Sequence, residues 1–483
     1  MTAPVTLLWI RRDLRLADNP ALRAALDAGG TVIPVYIHAP DQDGNWAMGS
    51  ASRWWLHHSL AALAQALAEK GSQLLIRTGE VLPTLTALVA ETGATAVVWN
   101  RVYEPAEIGR DTRIKQSLSE AGLRVDTFNS QLLFEPWEIR RDGGQPYRVF
   151  TPFWKALQAQ GIYRRPEPAP EHLPAVPAGL ASVPLEALKL LPTIPWDSGF
   201  YRCWTVGEGA ALQRLDAFID EAVVDYKTRR DIPGQAGTSR LSPHLHFGEI
   251  SPRQVVSALQ DRLGFALGTG GECFIREVAW REFAYHLLFH FPQTPEQPLD
   301  TRFAQLPWRP AAGEDWLDWR RGQTGYPIID AGLRELWQTG WMHNRVRMIA
   351  ASFLTKNLLM HWLDGARWFW DTLVDADLAC NTLGWQWTAG CGADAAPYFR
   401  IFNPVLQGER FDPEGDYVRR WVPELARVPT RLIHRPWEAG EADLAAAGVR
   451  LGRDYPRPRV DLKRSRERAL AAFAGLKTPG LDG

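Results

Sequence analysis

Five short apolar runs punctuate the first quarter of the chain: "VTLLWI" (5–10), "TVIPVYIH" (31–38), "QLLIRT" (73–78), "TAVVWN" (95–100) and "LRVDTFN" (123–129), each followed by a helix-like stretch. Aliphatic and β-branched runs alternating with helices predict βαβ units and a parallel sheet. In such sheets ligands sit beyond the carboxyl ends of the strands, here near "RRD" (11–13), "HAP" (38–40) and "NRVYEPAE" (100–107). No GxGxxG follows the first run, so a standard dinucleotide grip is not expected of this half.

Residues 163–196 hold eight prolines, which remove backbone donors and fix φ, and predict an irregular connector. Past residue 205 the pattern changes to apolar residues at i, i+3 and i+4, as in "FIREVAWREFAYHLLFHF", "NRVRMIAASFLTKNLLMHWL" and "ARWFWDTLVDADL". The expected architecture is a doubly wound α/β domain over 1–130, a connector over 131–204 and an all-helical domain over 205–483.

A length of 483 residues suits two domains. The 54 basic and 55 acidic residues nearly cancel, so a polyanion would have to meet a local patch of Lys and Arg. No uncharged apolar run reaches the 18 or so residues of a membrane span. The four cysteines show neither CxxC nor paired spacing, which argues against a disulfide framework or a metal site and fits a reduced, cytoplasmic location. Trp is the outlier, at 22 against 11 Tyr.

Chemistry concentrates in the helical half. On one helix face Glu277, Trp280 and Arg281 align at i, i+3, i+4. The pattern suits a desolvated acid beside an indole, and equally a surface ion pair between Glu277 and Arg281. Asn344, Arg347 and Met348 align the same way, a polar mixture that a core helix avoids unless a ligand answers it. Asp377 and Asn381 share a face with Asp375 just ahead, and Arg347 is a candidate partner for the two acids. Thr238, Ser239 and Ser242 lie around a turn and a helix start, where hydroxyls and free N–H groups make either a phosphate seat or an ordinary cap. Together these describe a pocket for a large aromatic, phosphate-bearing cofactor.

The strings "WIRRDLRLADNPAL", "GTSRLSPHLHFGEIS", "REVAWREFAYHLL", "TGYPIIDAGLRELWQTGWMHNRVRMIAASFL", "YFRIFNP" and "FDPEGDYVRRWVPEL" resemble the photolyase/cryptochrome family over about residues 5–475. The resemblance implies an antenna domain, a connector and a helical domain holding FAD in a U shape. Flavin contacts then fall on Tyr226, Thr238, Ser239, Leu241, Ser242, Arg281, Asn344, Arg347, Asp375, Asp377 and Asn381. Asn381 takes the place facing flavin N5, and Trp385, Trp362 and Trp308 that of a photoreduction wire, with Trp319, Trp368 and Trp370 near enough for a branch. Trp387 falls on the substrate wall, and Arg229, Arg230, Arg345 and Arg400 on the DNA-phosphate contacts.

Within that family, repair enzymes for cyclobutane pyrimidine dimers keep a Glu, a Trp and a Met in the substrate cavity, matched by Glu277, Trp280 and Met348; (6-4) enzymes place histidines on that wall around the positions held here by Asn344 and Met348, neither of which is His. Plant-type cryptochromes commonly carry Asp at the position of Asn381. The expected activity is therefore light-driven splitting of dimers in UV-damaged DNA by a monomer, with a blue-light receptor signalling through a partner as the alternative. Glu107 matches an acid that contacts a folate antenna, though Ala106 stands where many relatives have Asn. The antenna expected is 5,10-methenyltetrahydrofolate.

Overall fold

The computed structural model describes residues 3–264 and 266–476; the last seven residues of the expected 205–483 domain lie outside them. Strands β1 (Val5–Ile10), β2 (Thr31–His38), β3 (Leu75–Thr78), β4 (Ala96–Asn100) and β5 (Arg124–Phe128) form one sheet in the order β3-β2-β1-β4-β5. Every pair is parallel. Alternate residues of β1 enter different cores: Leu7 and Trp9 join one, Leu8 and Ile10 the other. Burial on both faces is why β1, β2 and β4 read as continuous apolar runs, whereas edge strand β5 is half-buried or exposed and carries polar residues. The second core also contains Phe247 and Trp341, so the sheet packs directly on the helical half.

A polar latch fixes that contact. Leu14 N donates to Phe247 O at 3.2 Å. Buried Arg15 donates to the carbonyls of Gly248 (2.9 Å), Ser130 (3.0 Å) and Asp18 (2.6 Å). Gly248 has φ +66°, and a Cβ there would meet Arg12 O at 2.1 Å, so only glycine admits the close approach.

The second half is helical. Helices Gly268–His290, Asn344–Ser352 and Trp362–Thr372 pack around Leu378–Ala389. Their core is rich in large rings, with Trp319, Trp362, Trp385 and Phe353 all at most 2% exposed. The connector over 163–196 is irregular apart from a 3-10 turn at Leu185–Leu188. The 131–204 stretch nevertheless contains a ten-residue helix, Phe150–Ala159, which the sequence reading did not pick out. Among the described residues no helix is long and apolar enough to cross a membrane, and no group of three or more His, Cys, Asp or Glu is placed to hold a metal ion.

Candidate active site

Helix Leu378–Ala389 organises the site. Its cap is Asp377, whose carboxylate accepts from Cys380 N at 2.9 Å and from the Tyr285 hydroxyl at 2.5 Å. Nδ1 of His246 lies 3.6 Å away. Burial alone would raise the Asp377 pKa, but His246 and the charge of Arg281 hold it far below the usual carboxylate range. Burial keeps His246 below its ordinary value. Just ahead, Asp375 receives Arg347 through Nη2 at 3.1 and 2.8 Å, and Arg347 Nε donates to Met342 O at 2.7 Å. A buried carboxylate is thus paired and aimed rather than left alone.

One and two turns on from Asp377 stand Asn381 and Gly384. The Asn381 amide donates from Nδ2 to Ala366 O at 3.0 Å, which leaves its carbonyl oxygen free. Gly384 is exposed although helices pack around this one, and a Cβ there would meet no atom within 4 Å. Glycine inside a helix costs about 1 kcal/mol relative to alanine. Open space beside it is the shape of a cradle for a flat ligand.

The other expected cofactor contacts are divided. Tyr226 is buried against Phe218 and Phe274, and Leu241 is buried. Thr238 and Ser239 are half-buried, and Ser242 and Asn344 are exposed. The helix after the hydroxyl turn is only Ser242–His246, so the turn offers hydroxyls and backbone amides rather than a long helix dipole. Arg281 turns inward, donating to Gln131 O at 2.6 Å and lying 4.7 Å over the Tyr285 ring.

Glu277 pairs with Arg230, not with Arg281, because Arg281 is engaged elsewhere. Arg230 also reaches Cys273 Sγ at 3.4 Å and lies over Tyr226. Trp280, Met348 and Trp387 are half-buried, as is Arg229. Trp280 stacks face to face on Phe150, centroids 3.8 Å apart at 8°. Arg345 is held by Asp231 at 2.9 Å and lies 4.4 Å over Phe411. Arg400 is fully on the rim beside exposed Phe399.

Trp385 meets Trp319 edge-on at 6.3 Å, and Trp319 stacks on Trp316 at 5.5 Å. Trp362 is buried beside His361, whose other neighbour at 5.2 Å is half-buried Trp308. Trp368 stacks on Trp337 and Trp370 meets Trp46.

A second cavity of about 690 Å³ opens beyond the carboxyl ends of the strands, lined by Trp9, His38, Trp46, Glu104, Glu107 and Trp370 among others. Arg12 pairs with both Glu104 and Glu107. Burial raises the Glu104 carboxyl, with Arg12 opposing and Glu107 reinforcing. Burial acts on Glu107 too, but Arg12 draws it below its usual value. Glu104 Oε1 and Trp46 Nε1 are buried without a hydrogen-bond partner, an acceptor or donor left for a ligand.

Sequence reasoning missed several contributors. Arg240 sits in the hydroxyl turn at φ +53° and lies 4.5 Å over Trp341; its place inside "TSRLS" was the available signal. Arg12 lay in the "RRD" strand end already marked as a ligand position, though its pairing with Glu104 and Glu107 was not legible; Tyr285 and His246 gave no signal, since their partner Asp377 is far off in the chain.

The family model described as "DNA photolyase" matches residues 6–175, and that described as "FAD binding domain of DNA photolyase" matches 274–475. The chain is 50% identical over 477 residues to a deoxyribodipyrimidine photo-lyase of Agrobacterium fabrum, covering 99% of this chain and 98% of that one. It is 42% identical to Cryptochrome-2 of Arabidopsis thaliana, covering 97% of this chain and 78% of the relative. A crystal structure of a bacterial class III photolyase from Agrobacterium tumefaciens superposes with TM-score 0.94 at 50% identity, over 99% of this chain and 98% of the other. A capped, acid-bearing helix beside an open cradle, a parallel sheet with a crevice at its edge and a photo-lyase relative matching over 98% of its length leave one assignment: the chain belongs to the photolyase/cryptochrome family.

Proposed function

We propose that the protein is a light-driven DNA repair enzyme, a deoxyribodipyrimidine photo-lyase, that opens cyclobutane pyrimidine dimers in UV-damaged DNA with FAD as its working cofactor. The observation that supports this most is Asn381, an amide pinned by Ala366 O beside the open space at Gly384. An amide has no acid proton to deliver, whereas a carboxyl at that place would. The residues fit the cofactor: Thr238, Ser239 and Ser242 offer hydroxyls to phosphate, Tyr226, Leu241, Arg281 and Asn344 line the approach, and Arg347, Asp375 and Asp377 present fixed charges to polar edges. Bound in reduced form, FAD supplies an electron on excitation by light.

The chain's own residues do the rest. A dimer must leave the base stack to enter the pocket, and Trp280 and Trp387 give it stacking surface. Arg229, Arg230, Arg345 and Arg400 meet phosphates, a local basic patch in a chain of net charge -1. Phosphate competes for Arg230, which frees the Glu277 carboxyl to take up a proton and donate a hydrogen bond to a pyrimidine carbonyl as negative charge builds there. Met348 fills the remaining gap with polarisable, apolar contact. Trp308, Trp362 and Trp385 form the inward electron path, with Trp319 as a branch.

We assign the strand-end cavity to the antenna, with 5,10-methenyltetrahydrofolate as occupant. The partnerless Glu104 and Trp46 atoms and the ionised Glu107 support a ligand carrying N–H groups and a carbonyl. The protein acts as a monomer in the cytoplasm, with domain limits at 130 and 205.

A dark binding titration tests the repair reading. The protein is expected to hold an oligonucleotide with one thymine dimer at least tenfold more tightly than the same undamaged strand; equal affinity would favour a light receptor of the cryptochrome type, which signals through a partner.

A further inference from the structure

Trp280 is half-buried, and one face of its indole stacks on the Phe150 ring, with centroids 3.8 Å apart and planes 8° from parallel. Phe150 itself is 1% exposed and touches Phe283 edge-on. It opens helix Phe150–Ala159, where backbone N–H groups lack helical partners, and its N–H is taken by Asp394 Oδ2 at 3.1 Å. Asp394 stands at φ +48°, a left-handed position that Asp and Asn tolerate better than other side chains.

Asp394 belongs to the loop that follows Trp387. That loop is tied to the end of the Trp387 helix by Gly390, Cys391 and Gly392 N donating to Gln386 O and by Ala396 N donating to Trp387 O at 3.2 Å. A continuous chain of contacts therefore runs from one indole to the other: Trp280 on Phe150, Phe150 to Asp394, and Asp394 through its loop to Trp387. The two indoles sit on different helices more than a hundred residues apart in the chain; those helices pack on each other, and this hydrogen bond adds a directed tie between the ring behind Trp280 and the loop after Trp387.

We propose that Phe150 and Asp394 form a strut that fixes Trp280 relative to Trp387 and thereby sets selectivity for the dimer over undamaged pyrimidines. Both are positioning residues, acting through the indoles. The inference rests on the reading that the two indoles flank the dimer. A rigid slot holds the fused, non-parallel rings of a dimer, whereas an indole free to rock also accepts ordinary bases, so loss of the strut weakens dimer binding specifically.

The test measures dark affinity of the FAD-loaded protein for a single-dimer oligonucleotide and for its undamaged twin. Wild type is compared with Phe150→Leu, Asp394→Ala and Asp394→Asn, with melting temperature and flavin content recorded for each. Phe150→Leu and Asp394→Ala are expected to lose about fivefold in preference, all of it in the dimer arm. Asp394→Asn retains the preference, because its amide oxygen accepts the same bond and Asn tolerates the same φ. Should Phe150→Leu fail to fold, the Asp394 pair carries the test. Unchanged preference in Asp394→Ala, or equal weakening toward both strands, overturns the strut. Absence of preference in wild type instead overturns the repair reading.

Discussion

Glu277 and Asn381 carry the functional weight at the scale of single residues. With Glu277→Gln an acidic hydrogen-bond donor to the pyrimidine carbonyl is replaced by a weaker amide donor, and the Arg230 ion pair becomes a weaker hydrogen bond. Repair per absorbed photon should fall by about 10-fold, while flavin absorbance of the purified protein stays at the wild-type level; undiminished yield would remove Glu277 from the reaction. How far this was readable differs by residue. Asp375, Asp377, Asn381 and Arg347 stood out because local spacing puts them on shared faces, and Arg347 does reach Asp375. The partner of Glu277 was not readable: i,i+4 spacing pointed to Arg281, but Arg230 lies 47 positions away and only the tertiary fold brings it in. The left-handed backbone of Arg240 and the Phe150 stack on Trp280 are likewise products of packing.

Elements show the same division between local and distant causes. The strands were legible to within about two residues: burial on both faces writes continuous apolar runs in β1, β2 and β4, and β-branched residues between helix-like stretches mark the edge strands. Helix Phe150–Ala159 was missed although Phe150, Phe153, Trp154 and Leu157 keep the i, i+3, i+4, i+7 spacing, because Pro152 reads as a breaker; in the first turn it is tolerated, and Phe150, Phe153 and Leu157 pack into the core. Gly384 gives the sharpest test of helix Leu378–Ala389. Gly384→Ala should raise the stability of flavin-free protein by about 1 kcal/mol in urea unfolding, since the added methyl meets open space. Gly384→Phe should leave that protein folded yet sharply lower its FAD content, measured by absorbance after purification. Full FAD occupancy in the Phe variant would mean that the cradle lies elsewhere.

The whole molecule depends on the junction between sheet and helices. Removing Arg15, whose buried guanidinium answers carbonyls from both halves, leaves those acceptors unpaired, so Arg15→Ala should cost about 3 kcal/mol, seen as a lower urea midpoint. Two buried histidines set the acid limit. Desolvation holds His286 and His343 down to about 4 each, so the unfolded chain takes up protons first as pH falls. Their contribution is complete above about pH 6.5 and is lost between there and about pH 4, worth up to about 3 kcal/mol per ring. Thermal melts across that window should therefore show falling stability, and replacing His343 by Gln should flatten the slope. The central claim, that light and this helical pocket together open pyrimidine dimers, is tested most directly by counting intact dimers in a defined oligonucleotide mixed with FAD-loaded protein and reductant. Dimers should disappear under blue or near-ultraviolet light and persist in the dark control. Dimer counts that stay equal in light and dark, with cofactor bound and DNA in complex, would contradict the account.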